Sequence, residues 1–319
     1  PVAPTCTDGT VASYTELVQE DVSGESCAYC EFGISMTSIG DLNGDGVMDL
    51  AIGQARDVSG SICNPDVPDQ FAYMRSCAGA VTIVLLNADD TVASQVKITG
   101  ADKFGASVAA LGDVNGDGVI DLAVGAPMDD EGGEDRGAVW IIFLNANGTV
   151  SSRKKITNTD AGFPGHLGTV EYSKEFGWSV AALGDLNGDG VPDLAVGVPG
   201  DSGNVNRVGA LWILFLNADG TIASHHKIYD DCDACWLKFG HRLGFSVTTL
   251  GDVDGNGVVD LAVGAPWIGG MSGIHGMVWI LFLNADGTVA SHQMIADGVG
   301  GFVNFLPKNQ EKFGWAVAA

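Results

Sequence analysis

The sequence predicts an all-β protein, a β-propeller of four-stranded antiparallel blades, and three observations lead to this fold. An aspartate- and glycine-rich segment of 14 residues occurs four times, beginning at Gly40, Gly112, Gly184 and Gly251, so that 72, 72 and 67 residues separate successive copies. Short apolar runs bounded by turn residues fill the intervals, without helical periodicity. Glycine and alanine concentrate in the first two runs of each unit, and bulkier residues follow in the third. A period of this length indicates a repeat architecture.

The second repeat shows how each strand is inferred. Phe104-Gly105 opens a first strand of small and apolar residues, Ala106 to Leu111. After the aspartate loop, Asp121 to Pro127 gives a second apolar strand that the proline ends. An acidic, glycine-rich loop leads to a third strand rich in β-branched and aromatic residues, Gly137 to Leu144. An Asn-Ala-Asn-Gly hairpin signal then precedes a polar, solvent-facing fourth strand, Thr149 to Ile156.

The distribution of side-chain size favours a propeller over other repeat folds. Trp140, Trp212 and Trp279 recur in the third strands, whereas the first two strands are rich in small residues. Inner propeller strands crowd a common axis and need small side chains, so this gradient is typical of blades. A solenoid is the competing architecture, but its rungs of about 20 to 30 residues are less than half this period.

The blade boundaries follow from the register of the repeats. Residues 1–31 are expected to end a preceding blade, because Thr7 to Tyr14 matches Ala285 to His292. Residues 313–319 are expected to begin another blade, because Lys312 to Ala319 matches Glu175 to Ala182. We therefore interpret residues 1–319 as a segment of a larger propeller within a longer polypeptide. Four complete blades are expected between these ends, at residues 32–103, 104–175, 176–242 and 243–312.

The charge balance excludes some classes of partner. The chain has 40 Asp and Glu against 15 Lys and Arg, a formal net charge of −25. Nucleic acids and anionic membranes both require a basic face, so we expect neither as a partner. The longest clear apolar run, Ala138 to Leu144, is far shorter than the roughly 18 residues of a membrane-spanning helix. We therefore expect no transmembrane segment in this chain.

The cysteines favour an oxidising compartment. Six of the seven form three close pairs in loop-like sequence, which indicates disulfides. The pairs are Cys27 with Cys30, Cys63 with Cys77, and Cys232 with Cys235. Cys6 would pair with Cys27, with Cys30 or with a cysteine outside this chain. A zinc site built from the two Cys-x-x-Cys pairs is a weaker alternative, because 202 residues separate Cys30 from Cys232.

The four aspartate loops are candidate metal sites. Oxygen-bearing side chains at alternate positions of a tight loop converge on one point, which is how a hard cation such as Ca²⁺ is bound. An EF-hand is excluded because its loop needs a glutamate at position twelve, where these loops carry aliphatic residues such as Val124. The expected role is structural, since the cation holds together carboxylates that otherwise repel one another. The candidate ligands are Asp41, Asn43, Asp45, Val47 and Asp49; Asp113, Asn115, Asp117, Val119 and Asp121; Asp185, Asn187, Asp189, Val191 and Asp193; and Asp252, Asp254, Asn256, Val258 and Asp260.

These motifs resemble the FG-GAP repeat of integrin α-subunit propellers and of their bacterial and algal relatives. The Phe-Gly pairs are Phe32-Gly33, Phe104-Gly105, Phe176-Gly177 and Phe313-Gly314, and the Gly-Ala-Pro element is intact at residues 125–127 and 264–266. The fourth blade departs, with Leu243-Gly244 in the register of Phe-Gly and with Asp254 and Asn256 exchanged relative to the other loops. The resemblance implies a seven-bladed propeller, Ca²⁺ between the first two strands of a blade, and extracellular recognition or adhesion on the opposite face.

The rim opposite the aspartate loops is the expected recognition surface. In a four-stranded meander the loops after strands two and four share one rim, and here those loops are long and differ from blade to blade. Asn147 begins an Asn-Gly-Thr sequon at an expected hairpin tip, where it is a candidate glycosylation site or simply a turn residue. The candidate partner-binding residues are Arg56, Tyr73, Arg136, Arg207, Trp236 and Trp267.

Together these features favour a secreted or cell-surface, calcium-stabilised propeller that is not an enzyme. It would serve in adhesion, in recognition, or as a structural component of a coat or filament. Its expected partners are an extracellular protein, a glycan or copies of itself. No histidine stands in a recognisable motif with a Ser or Cys nucleophile. The alternative is the propeller portion of a secreted carbohydrate-active or phosphoesterase-type enzyme whose catalytic domain lies outside this chain.

Overall fold

The computed structural model describes residues 31–56, 78–157, 159–160, 174–201, 208–229, 241–267, 276–296, 299 and 312–318. Within these ranges the regular structure is entirely β, arranged as four antiparallel sheets of four strands in sequence order. These ranges contain no helix long and apolar enough to cross a membrane. The expected all-β fold of four-stranded sheets is therefore confirmed.

Each sheet is a meander of four consecutive strands. The first contains β1 (Phe32–Ser38), β2 (Leu50–Gln54), β3 (Gly79–Leu86) and β4 (Val92–Gly100). The second contains β5 (Ser107–Gly112), β6 (Asp121–Ala126), β7 (Ala138–Leu144) and β8 (Val150–Ile156). The third contains β9 (Ser179–Gly184), β10 (Asp193–Val198), β11 (Ala210–Leu216) and β12 (Ile222–Ile228). The fourth contains β13 (Ser246–Gly251), β14 (Asp260–Ala265), β15 (Met277–Leu283) and β16 (Val289–Ala296).

Burial across a sheet follows the hydrophobic pattern of its strands. In the second sheet, β6 is buried along its whole length and β7 is buried except at Trp140, which is half-buried. Leu122 on β6 pairs with Ile142 on β7, and Ile142 pairs in turn with the exposed Arg153 on β8. The two middle strands are thus covered on both faces, and the fourth strand forms the outer edge, as its alternating polar sequence predicts.

The four sheets pack face to face around an axis. The first strands contact one another in series, β1 with β5, β5 with β9, and β9 with β13. One core cluster joins each neighbouring pair of sheets: Ile83 and Leu122 share the first cluster, and Ile141 and Trp212 share the second. The third cluster joins β11 to β15. This radial stacking of four-stranded sheets is the arrangement of β-propeller blades.

The Phe-Gly pairs correct one expectation from the sequence. Phe104-Gly105 does not open the first strand of its sheet; the pair forms a turn, and β5 begins at Ser107. Gly105 has a φ of +88°, which residues with a side chain rarely adopt. The following Phe-Gly pair shows what the turn does, because Phe176 forms a parallel bridge with Gly137 of the preceding sheet. From the second blade onward, the Phe-Gly turn therefore docks a blade onto the preceding one, whereas Phe32 of the first blade lies at the start of β1.

Leu243 takes the place of phenylalanine in the fourth blade. It is fully buried and forms the equivalent parallel bridge with Gly209. Gly244 has a φ of +83°, like the glycines of the Phe-Gly turns. A leucine side chain fills the same buried position, so the turn keeps its role despite the change of sequence.

A serine hydroxyl joins each blade to the next. Two residues after the glycine of each Phe-Gly or Leu-Gly turn, a serine near the start of the first strand donates a hydrogen bond to the glycine carbonyl of the next such turn. The four bonds are Ser35 to Gly105 (2.9 Å), Ser107 to Gly177 (2.9 Å), Ser179 to Gly244 (2.9 Å) and Ser246 to Gly314 (3.0 Å). A buried carbonyl needs a donor, so this repeated bond satisfies a polar group at every described seam.

The short hairpins between strands three and four also contribute to the seams. A Cβ placed on Gly148 would lie 3.0 Å from Ile83 on the preceding sheet, and one on Gly287 would lie 3.0 Å from Ile213. The glycine that ends each of these two hairpin turns therefore provides both the positive φ of the turn and room for the neighbouring blade.

Candidate metal centres

The first aspartate of each loop organises the loop backbone. In the second blade, one carboxylate oxygen of Asp113 accepts hydrogen bonds from the amides of Gly116 (2.7 Å) and Asp117 (3.0 Å), and the other accepts from Gly118 (2.8 Å). The same three bonds recur at Asp41, Asp185 and Asp252. Glycines at the turning positions adopt φ values of +76° and +87° in this loop, so the chain can wrap around the carboxylate.

The third and fifth positions continue the pattern. The side-chain oxygen of Asn115 accepts from the Asp117 amide (2.9 Å), and a carboxylate oxygen of Asp117 accepts from the Val119 amide (2.9 Å). These side chains are therefore turned toward the interior of the loop, although both residues remain exposed. Carboxylate and amide oxygens directed into one tight loop are the donor set that Ca²⁺ prefers.

The last aspartate ties each loop to the body of its blade. Asp121 is fully buried; one of its oxygens accepts from the Val114 amide (3.0 Å), and the other accepts from the Leu144 amide (3.1 Å) at the end of β7. Its counterparts Asp49, Asp193 and Asp260 are also fully buried and bonded in the same way. An ionised carboxylate in such a place needs strong partners, and two amides are fewer than it can accept.

Burial raises the pKa of Asp121 and of Asp193 to about 6. Hydrogen bonds from backbone amides oppose this shift, while the nearby carboxylates Asp117 and Asp189 add to it. Ionising either carboxyl therefore costs more in the folded protein without a cation than in water, although both are mostly ionised at neutral pH. A divalent cation in the loop would favour the ionised form and compensate for the lost hydration.

The fourth loop brings three carboxylates together directly. Ligand atoms of Asp252, Asp254 and Asp260 lie within 4.8 Å of one another. Here the exchange of Asp and Asn places the amide of Asn256 at the fifth position, where its nitrogen donates to the carbonyl of Leu283 (3.0 Å). Among the described residues, no ion pair involves a carboxylate of the four aspartate loops. The donor chemistry therefore fits a divalent cation at each loop.

The raised pKa values predict how calcium and pH interact. Without calcium, Asp121 and Asp193 hold their protons more tightly in the folded than in the unfolded chain, where an Asp titrates near 3.8. Stability of the calcium-free protein should therefore fall as pH rises from about 4 to about 6. Calcium competes with these protons, so the stabilisation by calcium should grow over the same window.

Thermal melting across pH 4 to 7, with and without calcium, tests this expectation. The calcium-free buffers should be prepared over a chelating resin, because soluble chelators lose affinity as they become protonated. Asp102 provides the internal reference, since burial and Asp129 raise its pKa to about 6 as well, yet it lies outside the aspartate loops. The contribution of Asp102 to the pH dependence of stability is the same with and without calcium, so it cancels in the difference between the two melting profiles. Two parallel profiles would contradict the prediction.

The structure describes only some of the other candidate residues. Cys6, Cys27, Cys30, Cys63, Cys77, Cys232 and Cys235, and the candidate partner residues Tyr73, Arg207 and Trp236, lie outside the described ranges. Arg56, after β2, forms an ion pair with Glu31 at 3.4 Å. Arg136, before β7, lies at the same rim, opposite the aspartate loops. Asn147 is exposed at its hairpin tip, and its side-chain oxygen accepts from the Thr149 hydroxyl (2.6 Å).

Comparison with known proteins identifies the repeats. A sequence model of the FG-GAP repeat matches residues 104–142 and 176–214. The chain is an FG-GAP repeat protein. It is 34% identical to human integrin alpha-7 over 191 residues and 33% identical to integrin alpha-PS2 of Drosophila melanogaster over 240 residues, which are 59% and 73% of this chain. It is also 30% identical to bovine phosphatidylinositol-glycan-specific phospholipase D over 205 residues, or 64% of this chain.

The matched regions are small parts of these relatives. They cover 14% of integrin alpha-7, 15% of integrin alpha-PS2 and 23% of the phospholipase. The FG-GAP chain thus spans less than a quarter of the length of each. The comparisons confirm the expected resemblance and, with the four sheets, the β-propeller fold.

The structure brings together a set of residues that the sequence analysis missed. The residue after each Phe-Gly glycine, or after Gly244, points toward the axis at the rim opposite the aspartate loops. These residues are Ile34, Ala106, Trp178, Phe245 and Trp315, and together they line a cavity of about 500 Å³. Their fixed position after the repeated glycine was the available signal, but only the radial packing shows that they converge.

Trp267 packs against two of the aromatic residues that line this cavity. This candidate partner-binding residue is half-buried, with its ring 5.0 Å from Phe245 and 5.2 Å from Trp315. Aromatic rings bury large apolar areas and favour tilted contacts at these distances. Trp267 therefore contributes to the rim as part of a packed cluster.

Proposed function

We propose that this FG-GAP propeller is a calcium-stabilised, non-catalytic recognition or adhesion unit of an extracellular protein, secreted or displayed at the cell surface. The observation that carries the proposal is the division of the molecule into two unlike rims. One rim holds four nearly identical aspartate loops with one hydrogen-bond framework. The other holds the cavity and the connections that differ from blade to blade, and variable segments on a rigid scaffold are where recognition usually resides.

The similarity to integrin alpha subunits supports this proposal over a purely structural role. The partner would be an extracellular protein, a glycan or further copies of the chain in a coat or filament. Arg56, Arg136 and Trp267 lie at the proposed partner rim, and Tyr73, Arg207 and Trp236 belong to the same proposed surface. Asn147 would carry a glycan if the chain passes through a eukaryotic secretory pathway, because its exposed hairpin leaves the side chain accessible.

Four calcium ions per chain are expected, one in each aspartate loop. Side-chain oxygens at positions one, three, five and nine, with the valine at position seven, would hold each ion. Asp117→Ala removes one carboxylate from the second loop, so the calcium content measured by isothermal titration should fall from four to three. Asp219→Ala is the matched control, since Asp219 is an exposed turn aspartate outside these loops. A stoichiometry of four in Asp117→Ala would contradict the assignment.

A disulfide between Cys63 and Cys77 is a further prediction for an extracellular protein. The bond closes a ring of 15 residues, which in the chain-entropy model stabilises the fold by about 3 kcal/mol. Peptide mapping without reduction should recover the two cysteines in one linked fragment, with Cys27 linked to Cys30 and Cys232 to Cys235. Finding the thiols of both Cys63 and Cys77 free would refute the bond.

A second candidate is the propeller portion of a secreted carbohydrate-active or phosphoesterase-type enzyme. The similarity to the bovine phospholipase favours it, because that match covers 64% of this chain. In this case catalysis would belong to a domain outside the chain. A panel of glycoside and phosphodiester substrates should show no turnover by the chain itself. Turnover that a single Asp or His substitution outside the aspartate loops abolishes would overturn the non-catalytic assignment.

A further inference from the structure

The cavity at the axis continues into a channel between the first strands. Each strand contributes alternate side chains to successive layers: the mouth holds the residues that follow the repeated glycines, and the next layer holds Met36, Val108, Val180, Val247 and Val317. Beyond them the lining becomes small and hydroxylated, with Ser38 and Thr249. A channel that is aromatic at its mouth, aliphatic in the middle and polar at depth can accept a ligand that enters from the mouth.

The mouth has a continuous aromatic wall on one side. The ring of Phe245 lies 5.1 Å from Trp178 and 4.5 Å from Trp315. Phe245 is buried, whereas Trp178 is half-buried and Trp315 is 46% exposed. Large exposed indoles are costly to leave in water and are typical of surfaces that receive a ligand with an apolar face.

Cations surround this wall in a strongly acidic protein. The ammonium of Lys312 lies 4.1 Å from the Trp315 ring centroid and 4.9 Å from that of Trp267, and Lys103 lines the cavity. Neither lysine forms an ion pair with another described residue. Glu31 also lines the cavity, where Arg56 neutralises it. Among the described residues of the mouth, Lys103, Lys312 and Arg56 thus outnumber Glu31, in a chain whose net charge is −25.

We propose that the mouth of the axial channel binds an acidic oligosaccharide, a glycan whose sugar rings carry carboxylates. A pyranose ring presents an apolar face of C–H groups to the exposed indole of Trp315, and hydroxyl groups at its edge reach Glu31. A carboxylate on the ring pairs with Lys312 or Lys103. Neutral sugars can stack on the aromatic wall, but they do not pair with the two lysines. The charge of the mouth therefore favours sugars that carry carboxylates over neutral sugars.

This inference deepens the proposed recognition function and rests on it, naming the ligand class of the rim opposite the aspartate loops. The probe is trigalacturonic acid, titrated into the calcium-loaded protein while tryptophan fluorescence and heat are recorded. Maltotriose, a neutral trisaccharide, is the matched ligand control. We expect saturable binding of the acidic trisaccharide, weakening as salt rises because the lysine–carboxylate pairs are screened, and at least tenfold weaker binding of maltotriose.

Two variants locate the site. Trp315→Ala should weaken binding of trigalacturonic acid at least tenfold, because it removes the stacking surface, and Lys312→Gln should weaken it several-fold and reduce the salt dependence. Tyr229→Ala is the control, since Tyr229 is also an exposed aromatic residue with a lysine over its ring, Lys227 at 4.7 Å, but follows the outer strand β12. The affinity of the Tyr229→Ala variant for trigalacturonic acid should equal that of the unaltered protein.

The melting temperature with and without calcium is measured on the same samples. Absence of binding, equal affinity for both trisaccharides, or binding that Trp315→Ala leaves unchanged would each overturn the glycan assignment, whatever calcium does. A melting temperature that calcium leaves unchanged would instead contradict the proposed calcium-stabilised function. The two failures are therefore distinguishable.

Discussion

Removal of calcium should lower the melting temperature of the protein by roughly 15 °C. Each ion that binds only the folded chain stabilises it by about 2.7 kcal/mol when free calcium is a hundred times the dissociation constant. Four such sites contribute roughly 10 kcal/mol, and for a chain of 319 residues each kcal/mol corresponds to about 1.5 °C. The physical origin is the cluster of three carboxylates in each loop, one fully buried, which repel one another without a cation.

Differential scanning calorimetry in excess chelator, followed by readdition of calcium, measures this effect. Magnesium at the same concentration is the control, because it demands octahedral geometry, loses its water reluctantly and fits an all-protein oxygen site poorly. Calcium should restore the melting temperature, and magnesium should restore only a small part. An unchanged melting temperature in excess chelator would rule out calcium as a structural ion in these loops.

The sequence was sufficient to predict the strands and the loops because both depend on local patterns. The β7 strand was expected from its unbroken run of β-branched and aromatic residues, and the outer strand β8 from its polar alternation; both lie within one residue of the expected bounds. Leu243-Gly244 was likewise placed by register alone, although leucine departs from the motif. Such features require only neighbours along the chain.

The contacts between blades could not be predicted in this way. Phe104-Gly105 looked like the beginning of a strand, and only the packing of Phe104 against the preceding sheet shows why it forms a turn. The convergence of Trp178, Phe245 and Trp315 is similar, since Trp178 and Trp315 both reach Phe245 only when successive blades are arranged around one axis. Their side chains carry no local signal of that meeting, because a tryptophan beside a glycine also fits an ordinary core.

The seams between blades predict the second large effect. Gly125→Ala should destabilise the protein by about 3 kcal/mol, and lower its melting temperature by about 5 °C, because overpacking at a rigid site is costly. The added Cβ would lie well inside 3.0 Å of the Gly177 carbonyl and of the Ser107 hydroxyl, which are hydrogen-bonded to each other across the seam. Neither the backbone of the Phe-Gly turn nor that bond can yield without separating two blades.

Gly33→Ala separates this steric effect from the general cost of replacing a glycine. Gly33 has a φ of +79°, but a Cβ there meets nothing within 4 Å, so only backbone strain of about 1 kcal/mol is expected. Urea unfolding of both variants in saturating calcium measures the difference while the aspartate loops stay occupied. Equal losses of stability in the two variants would show that the seam tolerates an extra carbon, and that the small residues of the second strands serve the backbone rather than the packing of blades. A larger loss in Gly125→Ala, with an unchanged calcium stoichiometry, would place the main mechanical constraint of this propeller at the contact between Gly125 and the following Phe-Gly turn.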